Sequence, residues 1–128
     1  MRKIELPIKF STRIELTSDT LSDAVEDTSN ISDALLFVAQ PDKFTIKAEG
    51  NMSKANIDLI PDDKLRIKCT GTTKAKYSVD YLKKMIAGSK LSDNVELEFA
   101  ESYPLKISYK VVDKLLLSFI LAPRTEND

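Results

Sequence analysis

The sequence predicts an α+β domain in which antiparallel sheets carry two short helices on one face. Most of the 128 residues alternate apolar and polar with a period of two, the pattern of half-buried antiparallel strands. Two segments switch to helical spacing, and short clusters with turn chemistry punctuate the rest. At this length, with 42% hydrophobic residues, the chain can bury one sizeable core and is too short for two ordinary domains.

The first alternation is Ile8, Phe10, Thr12, Ile14, Leu16. It runs into Ser18 to Thr28, where Leu21, Ala24 and Val25 fall at i, i+3 and i+4 and predict a helix. Thr17, Ser18 and Asp19 are its candidates for cap and acidic first turn. Ala34 to Ala39 is continuously apolar and too short for a long helix, so it is read as a strand covered on both faces or paired at an interface. Phe44, Ile46, Ala48, then Ala55, Ile57, Leu59, then Leu65, Ile67, Cys69 resume the alternation. Gln40 to Lys43, Gly50-Asn51, Pro61 to Lys64 and Gly71-Thr72 supply the turns. From Ser78 to Gly88, the residues Val79, Leu82, Met85 and Ile86 form one helical stripe, with Ser78 placed to cap its start and Gly88 its end.

Val95, Leu97, Phe99 and then Leu105, Ile107, Tyr109, Val111 return to period two, and Leu115 to Leu121 is a second continuous apolar run. The order strand, helix, strands, helix, strands is an internal pseudo-repeat around a large antiparallel sheet. The outer strands of such a sheet carry unpaired backbone groups. Leu115 to Leu121, with three consecutive leucines and no proline before Pro123, is too apolar for a free edge and predicts pairing with something outside the chain.

Composition narrows the function. Nineteen basic and 20 acidic side chains leave a formal charge of −1, so any nucleic-acid contact must come from locally segregated charge. The absence of histidine and the single cysteine exclude Ser/His and Cys/His catalysis, thiolate-imidazole zinc sites and an intrachain disulfide. Cys69 continues the Leu65, Ile67 alternation and reads as a small buried hydrophobe. Asp62-Asp63 falls in a turn, and Asp23, Glu26 and Asp27 on an exposed helical face. With no partner base, glycine-rich phosphate loop or metal spacing beside them, they read as solvated acids. No enzyme activity, cofactor or metal is expected. The start Met1 to Glu5 has no apolar core of signal-peptide length and no apolar run approaches a membrane span, which predicts a soluble intracellular protein without a membrane partner.

Three motifs occur in an order that one family shares: Val79-Asp80-Tyr81-Leu82 opening the second helix, Tyr103-Pro104-Leu105-Lys106-Ile107-Ser108-Tyr109-Lys110, and Leu121-Ala122-Pro123-Arg124. In these the chain resembles the C-terminal domain of a DNA sliding clamp of the proliferating cell nuclear antigen type, with a tail closest in wording to archaeal members. The resemblance implies the processivity (DNA clamp) fold. Residues 1–7 would be the end of an interdomain linker and residues 8–128 the C-terminal clamp domain, with the N-terminal clamp domain absent. It implies a polymerase processivity factor, a scaffold in a trimeric ring around duplex DNA with helices lining the hole and sheets forming the outer wall. Its implied partners are other clamp subunits, non-specifically held duplex DNA, and the DNA polymerase, flap nuclease, ligase and clamp loader of replication and repair. Its place would be an archaeal cytoplasm or nucleoid, or a eukaryotic nucleus.

Carried over by position, the resemblance assigns a peptide groove to Leu6, Pro7, Pro104, Ile120, Leu121, Ala122, Pro123 and Arg124. A subunit-interface strand falls on Lys54, Asn56, Ile57, Asp58, Leu59 and Ile60. Lys74, Lys76, Lys83, Lys84 and Lys90 become weak DNA-facing residues. Read without the family, Pro104 only ends a loop, Ile120 only fills the core and the lysines form a solvated face. The alternative function is a freestanding interaction domain that self-associates through its edges without closing a ring on DNA. The first helix departs from the family, since Asp19, Asp23, Glu26 and Asp27 are acidic where clamps place basic residues. Either neighbouring helices supply the positive charge or this subunit contacts DNA little, as a mixed-subunit ring would tolerate.

Overall fold

The computed structural model describes residues 10–50, 52–87, 92–101, 103–111 and 115–123. The expectations placed on Ile8, Gly88 and residues 1–7 lie outside them. In chain order the elements are β1 (Thr12–Thr17), α1 (Ser18–Ser29), β2 (Ala34–Gln40), β3 (Lys43–Glu49), β4 (Lys54–Leu59), β5 (Arg66–Cys69), β6 (Thr73–Ser78), α2 (Val79–Ile86), β7 (Asn94–Phe99), β8 (Leu105–Val111) and β9 (Leu115–Leu121). The strands divide into two antiparallel sheets, ordered β5-β1-β7-β8-β9 and β4-β3-β2-β6, where alternation alone suggested one large sheet. The division arises because neither helix returns the chain to the strand it left. β1 pairs with β7 across α2, and β6 pairs with β2 across α1.

This exchange makes the pseudo-repeat explicit. β1-α1-β2-β3-β4 and β6-α2-β7-β8-β9 have the same pairing pattern, with β5 added outside β1. Ile14 sits opposite Leu97, and Ala75, its counterpart, opposite Phe37. Thr12 and Thr73, also counterparts and 61 residues apart, meet where the two sheets adjoin: the Thr12 hydroxyl donates to Thr73 Oγ1 at 2.9 Å, and both are buried. Each helix is tied to the segment after the other. Ser18 N–H donates to the Asp93 carbonyl at 2.8 Å, and Val79 N–H to the Asp33 carbonyl at 2.9 Å.

The inward faces of both sheets and one stripe of each helix share a single core. Phe37 lies at its centre, with Phe44 and Tyr77 edge-on at centroid distances of 5.4 and 5.3 Å. Phe99 joins them from the other sheet, 6.1 Å from Phe37. Leu21, Ala24 and Val25 of α1 and Leu82, Met85 and Ile86 of α2 complete it, as their spacing requires. Two buried tyrosines keep their hydroxyls satisfied: Tyr77 donates to the Tyr103 carbonyl at 2.6 Å and Tyr109 to the Met85 carbonyl at 3.1 Å. Burial raises both phenols, Tyr109 to about 12.

Thr17 caps α1, accepting from Thr20 N–H through its hydroxyl. Ser78 occupies the same position at α2 but makes no side-chain cap bond. Cys69 is half-buried, not buried as its alternation suggested, because β5 is an outermost strand; its thiol donates to the Gly71 carbonyl at 3.0 Å. Gly71 itself turns the chain with φ of 77°, a left-handed conformation open to glycine. β2 is covered on both faces only in part: Leu35, Phe37 and Ala39 face the core and Val38 is buried behind them, while Leu36 is half-buried.

Candidate docking and assembly surfaces

The β8–β9 ladder ends with Leu105 opposite Leu121, both buried. One step further stand Pro104 on one strand and Ala122 on the other, so the two buried leucines fix this corner to the core. Ile120, opposite Lys106, is 57% exposed and therefore does not fill the core. Tyr103, just before Pro104, anchors the loop: its carbonyl holds the Tyr77 hydroxyl, and its ring meets Phe10 edge-on at 6.1 Å. Phe10, the first described residue, therefore lies against the same corner. Pro104, Ile120, Leu121, Ala122 and Pro123 are thus brought together; Leu6, Pro7 and Arg124 lie outside the described residues. An exposed isoleucine beside a short strand of tail beyond the last ladder pair can take an apolar anchor and an extended peptide arm. In the sequence Phe10 reads only as a strand residue and Tyr103 only as the start of a family motif. A ring pair across 93 positions has no local signal.

β4 and β9 are each one of the two outer strands of their sheets, with β6 and β5 at the opposite edges, and they occupy equivalent places in the two repeats. β4 exposes Lys54, Asn56 and Asp58 and half-buries Ala55, Ile57 and Leu59. Ile60, just past its end, is 60% exposed. Asp58 accepts from the Thr45 hydroxyl at 2.8 Å and Lys54 pairs with Glu49 at 3.6 Å, so this edge carries charge along its length. β9 carries none in its sequence Leu115 to Leu121; its Ser118 hydroxyl shares a hydrogen bond with Ser108 at 3.0 Å. Charge protects an edge against indiscriminate pairing, and β9 lacks that protection.

The structure separates the lysines that the sequence grouped. Lys83 and Lys84 are exposed on α2, where Lys84 Nζ lies 5.6 Å from the centre of the Tyr81 ring, itself 56% exposed. Lys74 and Lys76 lie on β6 and point away from Ala75 and Tyr77, which face the core and the helices. Lys90 lies outside the described residues. α1 exposes Asp19, Asp23, Glu26 and Asp27.

The acidic residues singled out in the sequence lie in a turn and on the exposed face of α1. One carboxylate oxygen of Asp62 accepts the backbone N–H groups of Lys64 and Leu65, at 2.7 and 2.9 Å, which is turn chemistry. Asp63, Glu15 and Glu96 line an open depression of about 540 Å³ on the outer face of the five-stranded sheet, beside Lys64 and Arg66. Burial holds the Glu96 carboxyl above the usual carboxylate range and Glu98 and Glu15 add to this, while Arg13, 3.7 Å away, opposes it. Among the described residues no group of His, Cys, Asp or Glu could hold a metal ion, and no helix is long and apolar enough to cross a membrane.

Residues 4–124 match the family model described as proliferating cell nuclear antigen, C-terminal domain. The DNA polymerase sliding clamp of Thermococcus gammatolerans is 36% identical over 127 residues, covering 97% of this chain and 51% of that protein. The DNA polymerase sliding clamp of Nanoarchaeum equitans is 37% identical over 122 residues, covering 93% and 49%. A crystal structure of proliferating cell nuclear antigen from Thermococcus kodakaraensis superposes with a TM-score of 0.85 at 32% identity, over 97% of this chain and 52% of that one. The chain spans about half the length of the curated relatives it matches.

Proposed function

The chain belongs to the proliferating cell nuclear antigen C-terminal domain family, and on that premise we propose that it acts as the C-terminal half of a DNA sliding clamp subunit, a non-enzymatic scaffold. The observation that carries this reading is the corner where Phe10, Tyr103-Pro104 and Ile120 to Pro123 converge, with an exposed isoleucine on a buried footing. Polymerases, flap nucleases, ligases and clamp loaders would dock there through a peptide with aliphatic and aromatic anchors, and turnover would belong to them. Leu6, Pro7 and Arg124 would complete the groove. β4, with Ile57 and Leu59 half-buried and Ile60 exposed, would pair with a neighbouring subunit to close a trimeric ring, and β9 would continue into the N-terminal domain of its own subunit.

DNA contact would come from Lys83, Lys84 and Lys90, weak and without sequence preference. The acidic α1 would leave most of the positive charge to neighbouring helices. The test is an amide NMR titration of the chain with a clamp-binding peptide. Shifts concentrated at Leu105, Ile120 and Ala122, abolished by Ile120→Asp with the spectrum otherwise intact, are expected. A dispersed spectrum that ignores the peptide, or an Ile120→Asp variant that binds equally well, would overturn the groove assignment.

One observation favours a second reading. β4 and β9 are equivalent open edges, so copies of this chain could pair edge to edge as a freestanding interaction domain. Sedimentation of the chain alone decides: a closed oligomer that does not load on DNA favours this reading, and a monomer favours the first.

A further inference from the structure

We propose that the outer face of the four-stranded sheet, centred on Leu36, docks an acidic polypeptide segment that carries an apolar residue between its carboxylates. Leu36 of β2 stands between Lys47 of β3 and Lys76 of β6, its partners in the two ladders, and Lys74 stands beside Val38 in the next row. Strand spacing places Lys47 and Lys76 about 9.6 Å apart at Cα across Leu36, and Lys74 about 6.7 Å from Lys76 along β6. The three lysines are exposed, Leu36 is half-buried and Val38 is buried, so the patch is a shallow apolar seat with a basic rim.

Among the described residues no ion pair reaches that rim. The ion pairs join Arg13 to Glu96 and Glu98 and Lys54 to Glu49, and none reaches Lys47, Lys74 or Lys76. The nearest carboxylates keep their charge but aim their oxygens elsewhere: Glu49 at Lys54, Asp58 at the Thr45 hydroxyl, and Glu101 at the backbone N–H of Lys74, 3.0 Å away at the outer edge of β6. The fold does not demand this chemistry. On the other sheet the repeat puts Glu96 at the place of Leu36, Glu15 at that of Lys76, Ser108 at that of Lys47 and Arg13 at that of Lys74. There Arg13 and the glutamates compensate one another, while the Leu36 face leaves its charge open to a partner.

Leu36 decides between polyanions. Duplex DNA offers phosphates to three lysines and nothing to an apolar seat, and this face is turned away from the core side where both helices pack. An extended segment of the form Glu-x-Leu-x-Glu sets its three side chains on one face at steps of about 6.7 Å. That places leucine over Leu36 with a carboxylate toward Lys47 on one side and Lys76 on the other. The inference uses this sheet face alone and stands whether or not the chain serves a ring.

The experiment is fluorescence anisotropy of the whole chain with a labelled peptide of repeated Glu-Ser-Leu-Ser-Glu blocks, at low and moderate salt. Saturable binding that weakens with salt is expected. Lys47→Glu with Lys76→Glu should lower affinity roughly tenfold or more, since rim charge and register act together. Leu36→Ser should lower it several-fold, and Ile120→Asp should leave it unchanged. Lys47→Gln with Lys76→Gln repeats the test if charge reversal disturbs the circular dichroism spectrum. The proposal is overturned by absent binding, by equal affinity in the double variants, or by equal affinity for a peptide with serine in place of leucine. It is also overturned if duplex DNA binds through these lysines and displaces the peptide, which would make the face a nucleic-acid surface.

Discussion

The two repeats of this domain present the same interior and opposite exteriors. Leu21, Ala24 and Val25 of α1 are matched by Leu82, Met85 and Ile86 of α2, all buried, and the first N–H of each helix reaches the aspartate that follows the other repeat's helix. Outwardly, α1 shows Asp19, Asp23, Glu26 and Asp27, whereas α2 shows Lys83 and Lys84 against a single first-turn Asp80. The sheets repeat the contrast, a self-compensated glutamate and arginine face against an open lysine face. The packing geometry fixes the inner stripe because each position has a counterpart it must fit, and it leaves the outer positions free to carry interactions. Function is therefore to be sought where the repeats disagree.

That comparison can be broken most strongly in the interior. Leu21→Ala and Leu82→Ala, at equivalent fully buried positions, should each cost about 2–5 kcal/mol in urea unfolding, with similar values for the two. A large inequality would show that one repeat carries the core and the other merely covers it. Next comes the junction. Thr12→Val leaves the buried Thr73 hydroxyl without its partner and should cost about 1–3 kcal/mol, while Thr12→Val with Thr73→Val should recover much of the loss. Additive losses in the double variant would mean the two hydroxyls do not depend on each other.

The caps sharpen it further. Thr17→Ala should lower stability by about 1 kcal/mol and Ser78→Ala by much less, because only Thr17 makes a side-chain cap bond. Equal effects would mean that Ser78 caps α2 in solution. The smallest expected effect is a pH dependence on the outer face. Burial and neighbouring carboxylates raise Glu96 in the folded state, so its contribution is fully present below the ordinary carboxylate range and is lost as pH rises through its raised value. Glu96→Gln should therefore gain on the parent as pH climbs from acid toward neutrality. A constant difference between the two curves would show that Arg13 already holds the charge without strain.

Much of this was legible in the chain. Period-two alternation found the strands and i, i+3, i+4 spacing found both helices to within a residue or two, because each pattern follows from which side of the backbone meets the core. Three ordered motifs gave the family. The two-sheet division was not legible, since it depends on which strand pairs with which, and pairing between β1 and β7 joins residues some 80 positions apart. Lys74 and Lys76 looked like companions of Lys83 and Lys84 because they are near in sequence, but β6 turns them to the opposite side of the sheet from α2.

The amino-acid sequence by itself determined the elements, the buried stripe of each, the class of fold and the absence of histidine-dependent chemistry, all of which follow from residue type and local period. Tertiary structure alone decided that Ile120 is a surface residue while Leu121 beside it is core, that Phe10 and Tyr103 build one corner, and that Leu36 sits between two lysines from different strands. Those facts depend on register across strands distant in sequence, and register is fixed only when both sheets close on a common core.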